Sequence, residues 1–89
     1  MDLFNLMKST LSEADGVFTL KNENTTLGFV RFNNTGEVEY IFVNPLFRKK
    51  SIAKKLLKLV REKTQKKIIF QKPISPLGSK LLKSIEKWN

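Results

Sequence analysis

The sequence predicts an α/β (α+β) protein in which a mixed four-stranded sheet carries helices on both of its faces. Segments with apolar residues at three- and four-residue spacing alternate with β-branched and aromatic segments, and clusters of turn residues separate them. The predicted element order is α-β-β-β-α-β-α. A chain of 89 residues has room for one hydrophobic core, so we expect residues 1–89 to form a single domain.

The N-terminal segment has the pattern of a short amphipathic helix. Asp2 can cap its first turn, and the polar segment 13–16 can end it. Its apolar residues recur at helical spacing, at Leu3, Leu6, Met7 and Leu11. We therefore expect the first element of the fold to be helical.

Three strands are expected next, at residues 17–20, 27–32 and 37–43, because these segments are rich in β-branched and aromatic side chains. Turn residues cluster at 22–24 and 33–36, so neighbouring strands should pair antiparallel through tight hairpins. Large apolar groups, Tyr40 among them, fall on both faces of these strands, and we expect them in the core. Such a sheet needs cover on both sides.

The second half of the chain predicts a helix over about residues 51–65, a brief strand at 68–70 and a final helix. Apolar residues occupy one face of the first of these helices and lysines the other. The final helix begins well, with Ser75 as a capping residue and Pro76 at the first helical position. The passage from strand 37–43 through a helix to strand 68–70 predicts a right-handed crossover, which sets the two strands parallel.

The composition excludes several classes of function. The chain has no Cys and no His, which removes disulfides, the usual zinc sites and catalysis centred on a thiol or an imidazole. We therefore expect no metal. No apolar run approaches the roughly 18 residues that cross a bilayer, and the N-terminus has no secretory pattern. These features predict a cytoplasmic protein that does not interact with membranes.

The charge is unevenly distributed along the chain. The formal net charge is +9, yet residues 1–47 hold three basic and six acidic residues, whereas residues 48–89 hold fourteen basic and two acidic ones. This asymmetry favours a polyanionic ligand for the C-terminal half, and charge alone does not choose between a nucleic acid, an anionic surface and a polyphosphate cofactor. A module that binds nucleic acid or another polyanion, or a non-catalytic interaction protein, therefore remains the alternative to an enzyme.

The junction between strand 37–43 and the following helix carries the most specific pattern. There the strand ends in V-x-P, and R-x-x-x-x-A and an L-L pair follow at the helix start. A helix start exposes unpaired N–H groups and the positive end of the helix dipole, so it can hold a diphosphate. Cations surround this start, at Arg48, Lys49, Lys50, Lys54 and Lys55.

This junction resembles the acyl-CoA-binding motif of the GNAT superfamily of N-acetyltransferases. The residues that match in type and spacing are Val43, Pro45, Arg48, Ala53, Leu56 and Leu57. The element order is also similar to a minimal GNAT fold, and Ser51 stands where the family motif usually has its first glycine. The sequence is accordingly identified as a small, truncated or degenerate member of that superfamily.

The resemblance implies an N-acetyltransferase with acetyl-CoA as co-substrate and a primary amine as acceptor, which attacks the thioester directly. It also implies that strands 37–43 and 68–70 splay apart and that the pantetheine arm lies between them. The residues expected to bind the cofactor are Ile41, Phe42, Val43, Arg48, Lys49, Lys50, Ser51, Ile52, Ala53, Lys54 and, at the position of a motif asparagine in the last helix, Ser79.

Glu39 is the candidate catalytic base, since it lies on the strand that would border the thioester; alternatively it is a strand residue at the solvent edge. The sequence does not name the acceptor amine. An exposed strand edge on so small a chain also favours a homodimer.

Overall fold

The computed structural model describes residues 10–23 and 25–89, without the side chains of residues 48–50. The described elements comprise five strands, a 3-10 helix at Pro45–Lys50 and two α-helices. The strands are β1 (Thr10–Ala14), β2 (Val17–Lys21), β3 (Thr26–Phe32), β4 (Glu37–Val43) and β5 (Ile69–Phe70), and the α-helices are α1 (Ile52–Thr64) and α2 (Pro76–Ser84).

The five strands form one mixed sheet in the order β1-β2-β3-β4-β5. The antiparallel hairpins β2–β3 and β3–β4 and the parallel pair β4–β5 confirm the predicted topology. The sheet has one strand more than predicted. Within the described part of the chain, neither helix combines the length and the hydropathy of a membrane span.

The additional strand, β1, corrects the end of the predicted first helix. Ala14 pairs with Val17, so Asp15 and Gly16 form a two-residue hairpin turn, with Gly16 at a φ of 73°. Glycine suits the second position of this turn, because the backbone there has a positive φ. The predicted helix includes Leu11, which instead lies in β1, opposite Leu20. The rest of that helix, at residues 2–9, lies outside the described residues.

One face of the sheet and both described helices form the core. The buried side chains of α1 are Ile52, Leu56, Leu57 and Val60, and α2 and the turn after it add Leu81 and Ile85. They pack against strand residues such as Phe18, Val30 and Val38 in one continuous cluster. Trp88 is partly buried against the same cluster, and we refer to this side of the sheet as the helix face.

The predicted start of the last helix is confirmed. The Ser75 side chain accepts a hydrogen bond from the Gly78 N–H at 3.0 Å, and Pro76 occupies the first helical position. A Cβ on Gly78 would lie 3.0 Å from the Phe70 ring, so α2 packs closely on β5. This packing places the start of α2 beside the end of β5.

The outer edge of β5 is held by the side chain of Asn89. Its amide oxygen accepts from the Ile68 N–H at 2.7 Å, and its amide nitrogen donates to the Ile68 carbonyl at 3.0 Å. This pair of bonds replaces the ladder contacts that another strand would make. Asn89 thereby fixes the segment that leads into β5.

We predict that Asn89→Ala lowers the free energy of unfolding by about 1–2 kcal/mol, because two part-buried hydrogen bonds to Ile68 are lost. Urea unfolding should show a lower midpoint with an unchanged m-value. The control is Lys87→Ala, at an exposed position nearby, with an expected change below about 0.5 kcal/mol. Equal stability of the two variants would contradict the anchoring role of Asn89.

Candidate functional site

A cleft opens where β4 and β5 stop pairing. Their parallel register comprises Glu37 with Ile69 and Val38 with Phe70, and the Gln71 N–H then donates to the Val38 carbonyl at 2.9 Å. β4 continues to Val43, whereas the chain after β5 turns away. The resulting cleft has a volume of about 390 Å³. Its lining residues are Val38, Glu39, Tyr40 and Ile41 on one side and Phe70, Gln71, Pro73, Ser75 and Leu77 on the other.

The backbone of β4 presents unpaired peptide groups to this cleft. The Asn44 N–H donates to the Leu27 carbonyl at 2.8 Å, so these two residues form a hydrogen-bonded pair of the antiparallel ladder. Such pairs alternate along a ladder, which directs the peptide groups of Phe42 towards β3. Those of Ile41 and Val43 point the other way, to the side on which β5 has ended. An extended ligand can therefore pair with β4 as a strand would.

A β-bulge at the cleft mouth places Glu39 and Tyr40 side by side. Arg31 pairs with Tyr40 and Phe32 with Val38, so Glu39 is an extra residue in β4. Strict alternation would send one of two successive side chains into the core, yet both Glu39 and Tyr40 are exposed. The expectation that Tyr40 lies in the core is therefore wrong, because the bulge turns it outward.

Glu39 forms an ion pair across the bulge. Its Oε1 lies 3.5 Å from Nε of Arg31, and the two side chains are 34% and 66% exposed, respectively. An exposed pair of this kind contributes little to stability and exchanges readily with solvent or another cation. The Glu39 carboxylate is therefore available at the cleft mouth.

The loop that follows β4 is held by Asn44. Its side-chain oxygen accepts from the Leu46 N–H at 3.0 Å and caps the 3-10 helix, while its amide nitrogen donates to the Thr26 carbonyl at 3.2 Å. The same residue thus links the end of β4, the start of β3 and the loop to α1. Sequence reasoning missed this role, although Asn before Pro at a helix start is a recognisable capping signal.

The first turn of α1 lies close to the sheet. Its first backbone bond joins the Lys55 N–H to the Ser51 carbonyl at 3.1 Å, so the amides of residues 52–54 have no acceptor within the helix. A Cβ at Gly28 would lie 2.7 Å from the Phe42 carbonyl oxygen and 3.1 Å from the Ile52 side chain. The glycine at position 28 is therefore what allows α1 to approach the β3–β4 ladder.

Ser51, which precedes α1, has a left-handed backbone with φ 60° and ψ 27°, and its side chain makes no capping hydrogen bond. This conformation favours glycine, because a Cβ crowds the following carbonyl. A serine at this position is therefore strained, because its backbone adopts a conformation that favours glycine.

The predicted binding residues are only partly brought together. Ile41 lines the cleft, and the peptide groups of Phe42 and Val43 continue the same strand. At the helix start Ser51 and Lys54 are exposed and Ala53 is half-buried, whereas the Ile52 side chain is in the core, so only its backbone can bind a ligand. Arg48, Lys49 and Lys50 lie in the 3-10 helix, and their side chains are outside the described residues.

Ser79 is not brought to the cleft. It is exposed on α2 and lines a separate depression of about 280 Å³ with Lys83 and Glu86, at the outer edge of β5. Sequence reasoning also missed Gln71 and Ser75, which line the cleft. Across residues 10–23 and 25–89, no three acidic, Cys or His side chains are grouped as metal ligands would be.

A family model described as "Acetyltransferase (GNAT) family" matches residues 2–72, which is well over half of the chain. The chain belongs to the GNAT acetyltransferase family. Neither the comparison with curated proteins nor that with solved structures gave a significant match. The matched range of this GNAT protein includes the β4–α1 junction and all of β5. It also includes all of β4, which forms one complete wall of the cleft.

We predict that Ser51→Gly stabilises this GNAT protein by about 0.5–1 kcal/mol. Glycine relieves the strain of the left-handed backbone, and this gain in free energy exceeds the entropic cost of ordering a glycine, which is more flexible than serine in the unfolded chain. The matched control is Ser79→Gly in the exposed interior of α2, where the same change should destabilise by about 0.5 kcal/mol. Thermal or urea unfolding measures both. A shift of the same sign for the two variants would contradict the assigned backbone of Ser51.

Proposed function

We propose that this GNAT protein binds acetyl-CoA across the cleft and the start of α1 and transfers the acetyl group to a primary amine. The proposal rests mainly on one observation, namely that β4 extends past the end of β5 with the peptide groups of Ile41 and Val43 directed to the vacated side. An extended arm with amide groups suits such an edge, because it can supply the hydrogen bonds that β5 does not make.

The residues at the start of α1, which follows β4 and the 3-10 helix in the chain, suit a diphosphate. The amides of residues 52–54 are free of intrahelical bonds, and Lys54 is exposed beside them. Free amides at a helix start, together with the dipole, bind phosphate oxygens, and lysine adds charge. Compared with a glycine, the Ser51 side chain narrows the space through which a phosphate reaches these amides, although its hydroxyl can itself donate a hydrogen bond to a phosphate oxygen. These residues therefore fit acetyl-CoA, with Arg48, Lys49 and Lys50 as further cations.

Acetyl-CoA would supply the acetyl group as a thioester, which a neutral amine can attack. A primary amine is protonated at neutral pH, so the protein must take up a proton before the attack. We assign this role to Glu39, whose carboxylate lies at the cleft mouth and whose pairing with Arg31 is exposed and exchangeable. The cleft holds the two reactants together and so reduces the entropic part of the barrier.

We predict that acetyl-CoA shifts the backbone amide resonances of residues 41–43 and 51–55 in a titration followed by NMR. Arg48→Ala should weaken binding by roughly 1–3 kcal/mol, through loss of a charge-assisted phosphate contact. The control is Lys83→Ala, an exposed cation that lines the other depression, with affinity expected to match the parent. An absence of shifts at millimolar acetyl-CoA would disprove the proposal.

A salt series tests whether the basic half acts as a general polyanion site. Binding of acetyl-CoA should weaken only gently as salt rises, because few phosphates are involved. Binding of a short DNA duplex, the alternative ligand, should weaken steeply. Tighter binding of the duplex than of acetyl-CoA at physiological salt would favour the alternative function.

We predict that Glu39→Gln lowers kcat for acetyl transfer about 100-fold, since the amide cannot accept the proton of the ammonium group. The affinity for acetyl-CoA should be unchanged. Glu62→Gln, on the exposed side of α1, is the matched control and should retain the parental kcat. A parental rate for Glu39→Gln would show that another group or a water molecule accepts the proton.

A further inference from the structure

Three aromatic rings form a continuous surface on the face of the sheet opposite the helix face. The ring of Phe29 lies 5.6 Å from that of Tyr40 with an interplanar angle of 20°, and 5.5 Å from that of Phe42 with an angle of 32°. We call these three residues the aromatic platform. The ladder places all three on one side, because Phe29 is opposite Phe42, and Arg31 is opposite Tyr40.

The aromatic platform is accessible. Tyr40 is 57% exposed, and Phe29 and Phe42 are each partly exposed. Both described helices pack on the other face of the sheet, as their membership of the core cluster shows. A contiguous exposed aromatic surface can mark a place where a ligand or a partner binds.

The platform is continuous with the cleft. Tyr40 belongs to both. Its ring stacks on Phe29, and the residue also lines the cleft together with Glu39. A molecule resting on the rings of Phe29 and Tyr40 therefore lies beside the carboxylate that we assign as the base. The bulge at Glu39 creates this arrangement, because it turns two successive side chains to the same face.

The charges beside the platform restrict what it can bind. Glu39 is the carboxylate that borders both the rings and the cleft, and Arg31 partly neutralises it. Glu37 precedes it on β4 and accepts a hydrogen bond from the Asn33 amide at 2.9 Å. A polyamine would need several free carboxylates along its length, whereas the described residues of this surface offer apolar rings and the exchangeable carboxylate of Glu39.

We propose that the acceptor of this protein is a primary amine carried on an aromatic or other flat apolar body. This inference rests on the proposed acetyl transfer. The flat body stacks on Phe29 and Tyr40, and its ammonium group displaces Arg31 from Glu39 and reaches the cleft mouth. Glu39 first takes one proton from the ammonium group. The neutral amine nitrogen then bonds to the acetyl carbon as the C–S bond breaks, and the second proton lost by the nitrogen passes to the thiolate, which leaves as the thiol of CoA.

The test compares 2-phenylethylamine, ethylamine and spermidine as acceptors, with acetyl-CoA saturating. For the parent protein we expect kcat/KM to be at least tenfold higher for 2-phenylethylamine than for ethylamine or spermidine. Tyr40→Ala should abolish that preference, mainly through a higher KM for 2-phenylethylamine. Tyr40→Phe keeps a ring and should keep the preference. Leu11→Ala, an exposed apolar residue on β1, is the control and should behave as the parent.

Three outcomes would each overturn the inference and leave acetyl transfer standing. They are turnover with equal use of 2-phenylethylamine and ethylamine, a preference for spermidine, and an undiminished preference in Tyr40→Ala. Amine binding is also measured by NMR without acetyl-CoA, where 2-phenylethylamine should shift the amides of Phe29, Glu39 and Tyr40 at concentrations tenfold below ethylamine. Selective binding of this kind without any turnover would support the platform and refute the proposed acetyl transfer.

Discussion

The candidate site depends on one constraint, the early end of the pairing between β4 and β5. Two residue pairs join these parallel strands, and β4 continues alone to Val43. Because this pairing with β4 is so short, other contacts must hold β5 in place. Asn89 binds both backbone groups of Ile68 on its outer side, and the Ile69 N–H donates to the Gly36 carbonyl at 3.1 Å on its inner side. A Cβ at Gly36 would lie 2.6 Å from the Lys67 carbonyl oxygen, so glycine is required for this approach.

The bulge at Glu39 gives the two sides of β4 different chemistry. Its edge towards β5 presents peptide groups, which can pair with an extended ligand. Its face away from the helices presents the Glu39 carboxylate and the Tyr40 ring next to each other. A regular strand would direct one of these two side chains into the core. In the proposed function the bulge would let one strand border both a thioester arm and an acceptor, and the residues that would receive the two reactants are neighbours in the sequence.

The strands and helices that follow Asp15 could be predicted because their signals are local. Alternating apolar residues, turn clusters at 33–36 and the Ser75–Pro76 helix start each act over a few residues. Asp15–Gly16 can end a helix or form a hairpin turn, and because the apolar spacing before it is helical, the local pattern does not predict β1. The bulge at Glu39 depends on the register between β3 and β4, which the alternation of residues along one strand does not reveal. For that reason the sequence pattern wrongly predicts Tyr40 in the core. Candidate cofactor contacts could be proposed from the β4–α1 junction, whereas Gln71 and Ser75 reach the cleft only through the tertiary course of the chain.

Amide hydrogen exchange at Ile41, measured with and without acetyl-CoA, tests the central claim most directly. The Ile41 N–H points to the side that β5 has vacated, whereas that of Phe42 pairs with β3. We expect Ile41 to exchange much faster than Phe42 in the free protein and to become protected when acetyl-CoA is added, with Phe42 slow throughout. Protection of Ile41 equal to that of Phe42 in the free protein, or no gain of protection with acetyl-CoA, would contradict it.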